Sequence, residues 1–439
     1  MASRTAAPAR VAPERPSKTR YWVIFYAVTL AIITYIDRVC ISQAAPQISA
    51  DLGLTPVQMG MAFSAFAWAY ALFEIPGGWL GDWIGPRKVL MRVVVMWSFF
   101  TAATGWVWNH VSLLVVRFMF GAGEAGCFPN LTKAFTIWLP RDERVRAQGI
   151  MWLSARWGGA FTPLLVVLVF QLLDWRRAFE LFGAIGIVWA FFFWRWFRDN
   201  PRDHKDVNAA ELELLKESAD TAAGHGDVPW GRFLRSGTVW LLWVQYFCIS
   251  YGWYFYITWL PTYLRDGRKM EFGMGTAALA GLPLFFGGIG CLFSGFILAP
   301  VARIVGGPKA ARRLMAMLGC LSAGLLLILS VRLEDPLFAI VAMACASFSN
   351  DLVMPPAWGA CMDVGGKYAG TLSGSMNMMG NFAGGLAPML VGYILQHSNK
   401  DWALTFYISS AIYFVGLICW MFIDPVTPLD GKHAEDAAS

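Results

Sequence analysis

Gly78-Trp79-Leu80-Gly81-Asp82-Trp83-Ile84-Gly85-Pro86-Arg87-Lys88 joins two apolar runs, at about 57–80 and 88–107. A hydrocarbon core about 30 Å thick needs roughly 20 mostly apolar residues per helix, so each run is long enough to cross it. The joint itself holds glycines, a proline that cannot continue the preceding helix, and charges that belong in water. Outward from this point the pattern repeats. Twelve candidate spans follow, at about 22–42, 57–80, 88–107, 111–139, 145–173, 177–197, 237–264, 277–301, 311–331, 336–361, 369–396 and 402–423. The expected fold is an all-α membrane protein of twelve transmembrane helices.

Composition agrees. Of 439 residues, 57% are apolar and 15% are charged, against about 25% charged in soluble domains. Mean hydropathy is +0.50. A water-soluble globule would expose too much of this apolar surface, and the wealth of Trp, Phe, Leu and Ile excludes disorder. The 8 cysteines sit singly inside apolar runs, which excludes a disulfide scaffold. The net charge of +6 comes from short basic clusters between spans and is no nucleic-acid signature.

The clusters recur at alternate loops: Arg87/Lys88/Arg92, Arg141/Arg144/Arg146, Arg303/Lys309/Arg312/Arg313 and Lys367. With twelve spans they share a side with the basic N-terminus. Both termini are therefore expected in the cytoplasm of a multi-pass protein of the inner (plasma) membrane. The first apolar run is too long for a signal peptide, and polytopic sequence follows it. The expected organisation is a cytoplasmic tail over 1–21, a six-helix bundle over 22–198, a cytoplasmic central loop over 199–236, a second bundle over 237–424 and a tail over 425–439. A short helix from Ala209 to Glu217 is expected in the central loop, with Trp230, Phe233 and Leu234 along the membrane surface.

The halves are repeats. Gly149, Gly159, Pro163 and Gln171 match Gly374, Gly384, Pro388 and Gln396 at an offset of 225, and Asp174-Trp175 with Phe179 matches Asp401-Trp402 with Phe406 at 227. Span five thus repeats as span eleven and span six as span twelve. A duplicated six-helix unit with cargo held between the halves is how many secondary transporters are built.

The loop Gly78–Lys88 resembles the signature loop of the major facilitator superfamily. A narrower resemblance, to the anion:cation symporter family with its carriers of galactonate, glucarate and hexuronates, rests on several segments together. These are Tyr35-Ile36-Asp37-Arg38, Phe73-Glu74-Ile75-Pro76-Gly77-Gly78, Arg117-Phe118 with Gly123-Glu124-Ala125-Gly126 and Phe128-Pro129, Thr258-Trp259-Leu260-Pro261-Thr262-Tyr263, and Asn377 with Gly380-Asn381. The resemblance implies two pseudo-symmetric six-helix bundles that carry an anion by alternating access.

Ionisable residues near mid-bilayer cost about 2.5–3.5 kcal/mol each unless paired or wet. The first half holds Asp37, Arg38, Glu74, Arg117, Glu124 and Arg156, and the second half Asp351. Arg117 and Glu124 are seven residues apart, on one face of span four but about 10 Å apart along it, so each needs another partner. Asp37 and Arg38 point about 100° apart and also need partners on other helices. The economical arrangement is a polar cavity shared by spans one, four and five. Under the repeat Arg156 maps onto Asn381, which with Asn377 forms a stripe on span eleven. A guanidinium fork clamps a carboxylate and amides hold hydroxyls, which suits an oxygen-rich anion. Tyr70 lies four residues before Glu74, and Tyr251 and Tyr254 share a face with Thr258. The blander reading of each is core packing or structural ion pairing.

Resemblance to sugar-acid symporters adds roles. It implies substrate contact for Arg38, Tyr70, Trp358 and Asn377, and proton coupling, rather than sodium coupling, for Asp37 and Glu124. It also implies that Asp82 and Arg87 latch the halves, with Asp82 facing the positive N-terminus of span eleven. Arg117, Arg156, Tyr251, Tyr254 and Asn381 complete the expected substrate set. Glu74 departs from the family, which more often has a neutral amide there, and Arg156 and Asp351 match no family substrate residue; two readings of Asp351 stand open, a pair with Arg156 across the cavity or a place near the membrane surface.

No enzyme is expected. The five histidines fall in loops or at span ends, and neither a HExxH motif nor a P-loop is present, so no cofactor or metal is implied. The expected partners are a small organic anion, protons and membrane lipid, with no nucleic acid and a monomeric state. Hexonates, hexuronates and aldarates fit the cargo. Small aromatic or dicarboxylic acids, or a transporter-like sensor, are the alternatives.

Overall fold

The computed structural model describes residues 15–54, 56–222, 230–260, 263–270, 274–398 and 401–429. Residues 1–14 and 430–439 of the tails, 223–229 of the central loop, and Pro261-Thr262 of the span-seven motif lie outside the described residues. All regular structure among the described residues is helical. Spans one to three are Arg20–Leu52, Pro56–Ile84 and Pro86–Thr104. Span four is two helices, His110–Glu124 and Cys127–Trp138, and spans five and six are Arg141–Phe170 and Trp175–Trp196. Spans seven to nine are Gly237–Thr258, Met274–Val305 and Pro308–Arg332. Span ten is again two helices, Pro336–Asp351 and Met354–Gly365, followed by Ala369–His397 and Trp402–Phe422 as spans eleven and twelve.

Local chemistry explains the boundaries. Gly85 takes φ +87°, where a side chain would be strained, and Pro86 then opens span three. Gly307 at φ +129° and Pro308 do the same for span nine. The repeated aspartates are helix caps: Asp174 accepts from Arg177 N at 2.8 Å and Asp401 from Leu404 N at 3.2 Å. Seven helical stretches among the described residues are apolar and long enough to cross a membrane by composition alone. Spans two, three, five and seven fall short of that, because glycines, charges and polar-tipped aromatics replace aliphatic residues there. The outer surface is apolar, with Phe25, Phe191, Phe192, Leu325 and Ile418 more than half exposed, as suits lipid contact.

The sequence reading treats spans four and ten as continuous, and the structure breaks both. In span four the chain turns at Gly126, φ +87°. The N–H freed there donates to the Glu74 carboxylate at 2.9 Å, and Asn130 Nδ2 donates to the Gly77 carbonyl at 2.9 Å. In span ten the break falls at Leu352-Val353. The Leu352 carbonyl accepts from Ser294 Oγ at 2.7 Å, and Pro355-Pro356 cannot donate to a continuing helix. The breaks are symmetric: 124 and 351, 127 and 354, and 138 and 365 are each 227 apart.

Across the halves, span two packs on span eleven and span five on span eight. Both contacts are tightest toward the face that carries the central loop. A Cβ on Gly78 would collide with the Gly370 carbonyl, and one on Gly149 would lie 2.7 Å from the Cys291 carbonyl. The central loop is anchored by Glu211, which is fully buried and accepts from Arg20 Nη1 at 3.0 Å, from the Thr19 and Arg20 amides and from Ser17 Oγ. Its helix runs Ala209–Ala222, longer than expected, and in the helix Trp230–Arg235 Phe233 is buried, against Tyr368, rather than spread on the surface.

Candidate functional site

A cavity lies between the halves, close to both breaks. The first half lines it with Tyr35, Arg38, Tyr70, Phe128, Trp152 and Arg156. The second half lines it with Tyr246, Ile249, Ser250, Trp253 and Tyr254 of span seven, Asn350 and Met354 of span ten, and Asn377, Gly380 and Asn381 of span eleven. It therefore spans both halves, rather than spans one, four and five alone.

Two arginines dominate the first wall. Arg38 lies over the Tyr70 ring, Cζ to centroid 4.5 Å, and its Nε meets Glu124 Oε1 at 2.5 Å. Among the described residues its Nη2 and the Tyr70 hydroxyl have no hydrogen-bond partner. Arg156 reaches across to the second half. Nε and Nη2 meet the two oxygens of Asp351 at 2.7 and 3.0 Å, Nη1 donates to the Tyr35 hydroxyl at 3.3 Å, and Trp253 stacks 4.3 Å from Cζ. Asp351 also accepts from Asn350 at 2.8 Å, and Tyr413 holds Asn350 at 2.9 Å. The opposite wall is a hydrogen-bonded chain of a phenol and two amides that ends on a carboxylate. Tyr254 donates to Asn381 at 3.1 Å, Asn381 to the Asn377 carbonyl at 2.9 Å, and Asn377 to Glu74 at 2.5 Å.

The structure separates other expected residues from the cavity. Tyr251 is turned about 100° from Ser250 and is buried with Ala383 and Ala387 of span eleven. Trp358 lies past the break of span ten and stands behind the cavity wall, packing on Trp152 and donating to the Tyr246 hydroxyl at 3.1 Å. Arg117 sits two turns along span four from the break, its guanidinium against Phe66 and Phe120 at 5.1 and 4.6 Å. Asp37 is buried in the field of Arg117 and beside Trp97 and Thr101, none of which reaches it in hydrogen-bond geometry. Glu124 stands one layer behind Arg38.

At the central-loop face Asp82 accepts from Gly370 N at 3.1 Å, Thr371 N at 2.6 Å and Thr371 Oγ1 at 2.6 Å, so it caps span eleven from the other half. Lys133 joins it at 3.2 Å and also donates to the Lys367 carbonyl at 2.5 Å. Asp363 lies between Arg312 at 2.6 Å and Arg144 of the first half at 3.5 Å. Arg87 is not part of this crossing: it stacks on Trp194 at 4.0 Å, and its backbone N–H donates to Asp199 at 2.8 Å. Sequence reasoning passed over Lys133, although a charge inside an apolar run is the signal that found the others. It also missed the span-seven face of Tyr246, Ser250 and Trp253, whose i, i+4, i+7 spacing was available.

A charged cavity enclosed between two repeated six-span halves, with ties that cross from one half to the other on one face, defines a membrane carrier and not an enzyme. The chain belongs to the Major Facilitator Superfamily, whose family model matches residues 27–388. It is 35% identical over 415 residues to a probable sulfoacetate transporter of Cupriavidus necator, covering 94% of this chain and 96% of that one. It is 31% identical over 404 residues to a probable galactarate/D-glucarate transporter of Escherichia coli, covering 87% and 88%. In fold it is similar to a proton:xylose symporter of the superfamily bound to 6-bromo-6-deoxy-D-glucose, with TM-score 0.72 at 13% identity over 94% of this chain and 98% of that one. It is a multi-pass integral membrane transporter.

Proposed function

We propose that the chain is a proton-coupled symporter that brings a small organic anion across the inner membrane by alternating access, as a monomer with both termini in the cytoplasm. Sugar acids, and a short sulfo-acid such as its relative's sulfoacetate, are the cargo class. The observation that carries this is the two-walled cavity: guanidinium forks with an unsatisfied donor on one side, amides and a phenol on the other. Arg forks take the planar anionic group, Asn377, Asn381 and Tyr254 take hydroxyls or further oxygens, and the rings of Phe128 and Trp152 cover carbon.

Glu124 meets the Arg38 fork at one prong, Nε. A proton on Glu124 releases that fork to the cargo, and Asp37, buried nearby with no hydrogen bond to its carboxylate among the described residues, is the second acid of the relay. The crossing contacts at Asp82, Gly78 and Gly149 hold the cytoplasmic side shut in this conformer, so the cavity is reached from outside.

Reconstitution in liposomes tests it. The expected result is counterflow exchange of labelled sulfoacetate, galactarate or hexuronate, with accumulation when the outside is acid. Accumulation driven by sodium and indifferent to the pH gradient would remove proton coupling. Absence of exchange for every such anion would remove transport of this class, and chemical change of the label would make the chain an enzyme.

A further inference from the structure

The two broken spans place an acid at the same point of each half. Glu124 is the last residue of the first helix of span four, and Asp351 is the last residue of the first helix of span ten, 227 positions on. Both carboxylates are fully buried. Neither lines the cavity, yet each holds an arginine that does: Glu124 holds Arg38 and Asp351 holds Arg156. The second pair differs in two respects. It is two-pronged, and it joins span five of one half to span ten of the other. Both arginines also touch one residue, Tyr35, whose ring lies 5.5 Å from Arg38 Cζ and whose hydroxyl accepts from Arg156.

We infer that Asp351 and Arg156 form a second station where an internal carboxylate gives way to a cargo anion, and that the cargo therefore bears two anionic groups. This rests on the function proposed above. An arginine held only to glue two helices has no need to line the cavity. Here each guanidinium has an acid behind it and the cavity before it, the geometry of a fork that changes partners. The seats flank a single tyrosine, which suits a short molecule with an anionic group at each end. At each station one proton goes to the displaced carboxylate while one cargo group takes the arginine, so two protons accompany a dianion. The second exchange also cuts a tie between the halves. A monoanion seated at Arg38 leaves Arg156 and Asp351 joined.

Calorimetric binding to the purified full-length protein tests this with two matched pairs, galactarate against galactonate and sulfoacetate against methanesulfonate. For at least one pair the dianion should bind at least about tenfold more tightly than the monoanion, the size expected of one charge-assisted contact. Binding of that dianion should take up about twice as many protons as its monoanion. The double variant Arg156→Gln with Asp351→Asn keeps the pair neutral and hydrogen-bonded. Whatever its absolute affinity for the monoanion, it should lose the preference, binding the two members of the pair within about twofold of each other. Equal affinities and equal proton uptake for both members of each pair in the wild type overturn the inference while leaving anion transport in place. So does a preference that survives in the double variant. If none of the four anions binds, the proposed function falls with it.

Discussion

Glu74 of span two and Asn377 of span eleven meet across the two halves at 2.5 Å, and the other oxygen of Glu74 holds the Gly126 N–H at the break of span four. One buried carboxylate thus fixes a helix break, a cavity amide and the contact between the halves. Glu74→Ala strands two buried donors and should cost about 1–3 kcal/mol. Glu74→Gln keeps an acceptor for Gly126 and leaves Asn377 free to flip its amide, so it should cost less. Unfolding by detergent titration checks the order. An alanine variant as stable as the glutamine one would remove the proposed dual role.

Asp351→Ala leaves Arg156 buried and unpaired, which should destabilise the protein by about 3–5 kcal/mol. The paired apolar change Arg156→Met with Asp351→Leu should recover most of that loss, because it removes both charges together. The same unfolding measurement decides. A double variant no more stable than the single one would mean that the pair contributes through shape and not charge.

The fold was legible because lipid imposes a coarse code: apolar runs, basic loops, and a repeat still visible at Asp174-Trp175 and Asp401-Trp402. The breaks were less legible. Gly126 stands in a run where several glycines would serve, and the reading of span ten as continuous passes over Pro355-Pro356, the local signal just after Leu352-Val353 that opens a new helix. Both breaks are pinned by distant side chains, Glu74 and Ser294. Charges in apolar sequence marked the site residues well, but their pairings join 38 with 124, 156 with 351 and 74 with 377. Of these, 156 with 351 was one of the two readings the sequence offered for Asp351, and the structure bears it out; the other two needed coordinates. Two geometric details decided the rest: Tyr251 is turned off the cavity by its angle, about 100° from Ser250, and Arg117 by its depth, two turns along span four from the break.

Asp82 carries four interactions that cross toward span eleven or meet Lys133. Asp82→Asn keeps the shape and removes the charge that faces a helix N-terminus and a buried lysine. A loss of up to about 2 kcal/mol from the closed face shifts the open-to-closed ratio about 30-fold. Maleimide labelling of Cys361, fully buried here, should rise accordingly. Unchanged labelling would assign Asp82 a folding role only.

His204 packs edge-on against Trp138 and tilted against Trp196, centroids 5.6 and 4.9 Å away. Burial holds its pKa below the ordinary 6.5, against the pull of Asp206, while Arg198 and Lys205 add to the depression. Protonation therefore favours the released loop. Its contribution is present above about pH 6.5 and is lost as pH falls toward the folded value. The protection factors of the amides within 202–208, that is, exchange corrected for its own slowing with falling pH, should drop over that fall in the wild type, and the step should vanish in His204→Gln. A step that persists in the variant would belong to another group.

Gly149 faces span eight so closely that an added Cβ would lie 2.7 Å from the Cys291 carbonyl and 2.9 Å from Gly295 Cα. Both are backbone atoms, so no side chain can swing aside. Gly149→Ala must part spans five and eight at the central-loop face, where the proposed mechanism requires them to close. The Cys291 thiol, fully buried in this conformer, should become reactive, and accumulation of cargo should fall by at least about tenfold, one step of 1.4 kcal/mol in the closing equilibrium. Gly237→Ala is the control, since an added Cβ there meets nothing within 4 Å. It sits at the start of span seven, and it should leave both readings alone. If Gly149→Ala transports normally with Cys291 still protected, closure of this face does not depend on the contact between spans five and eight.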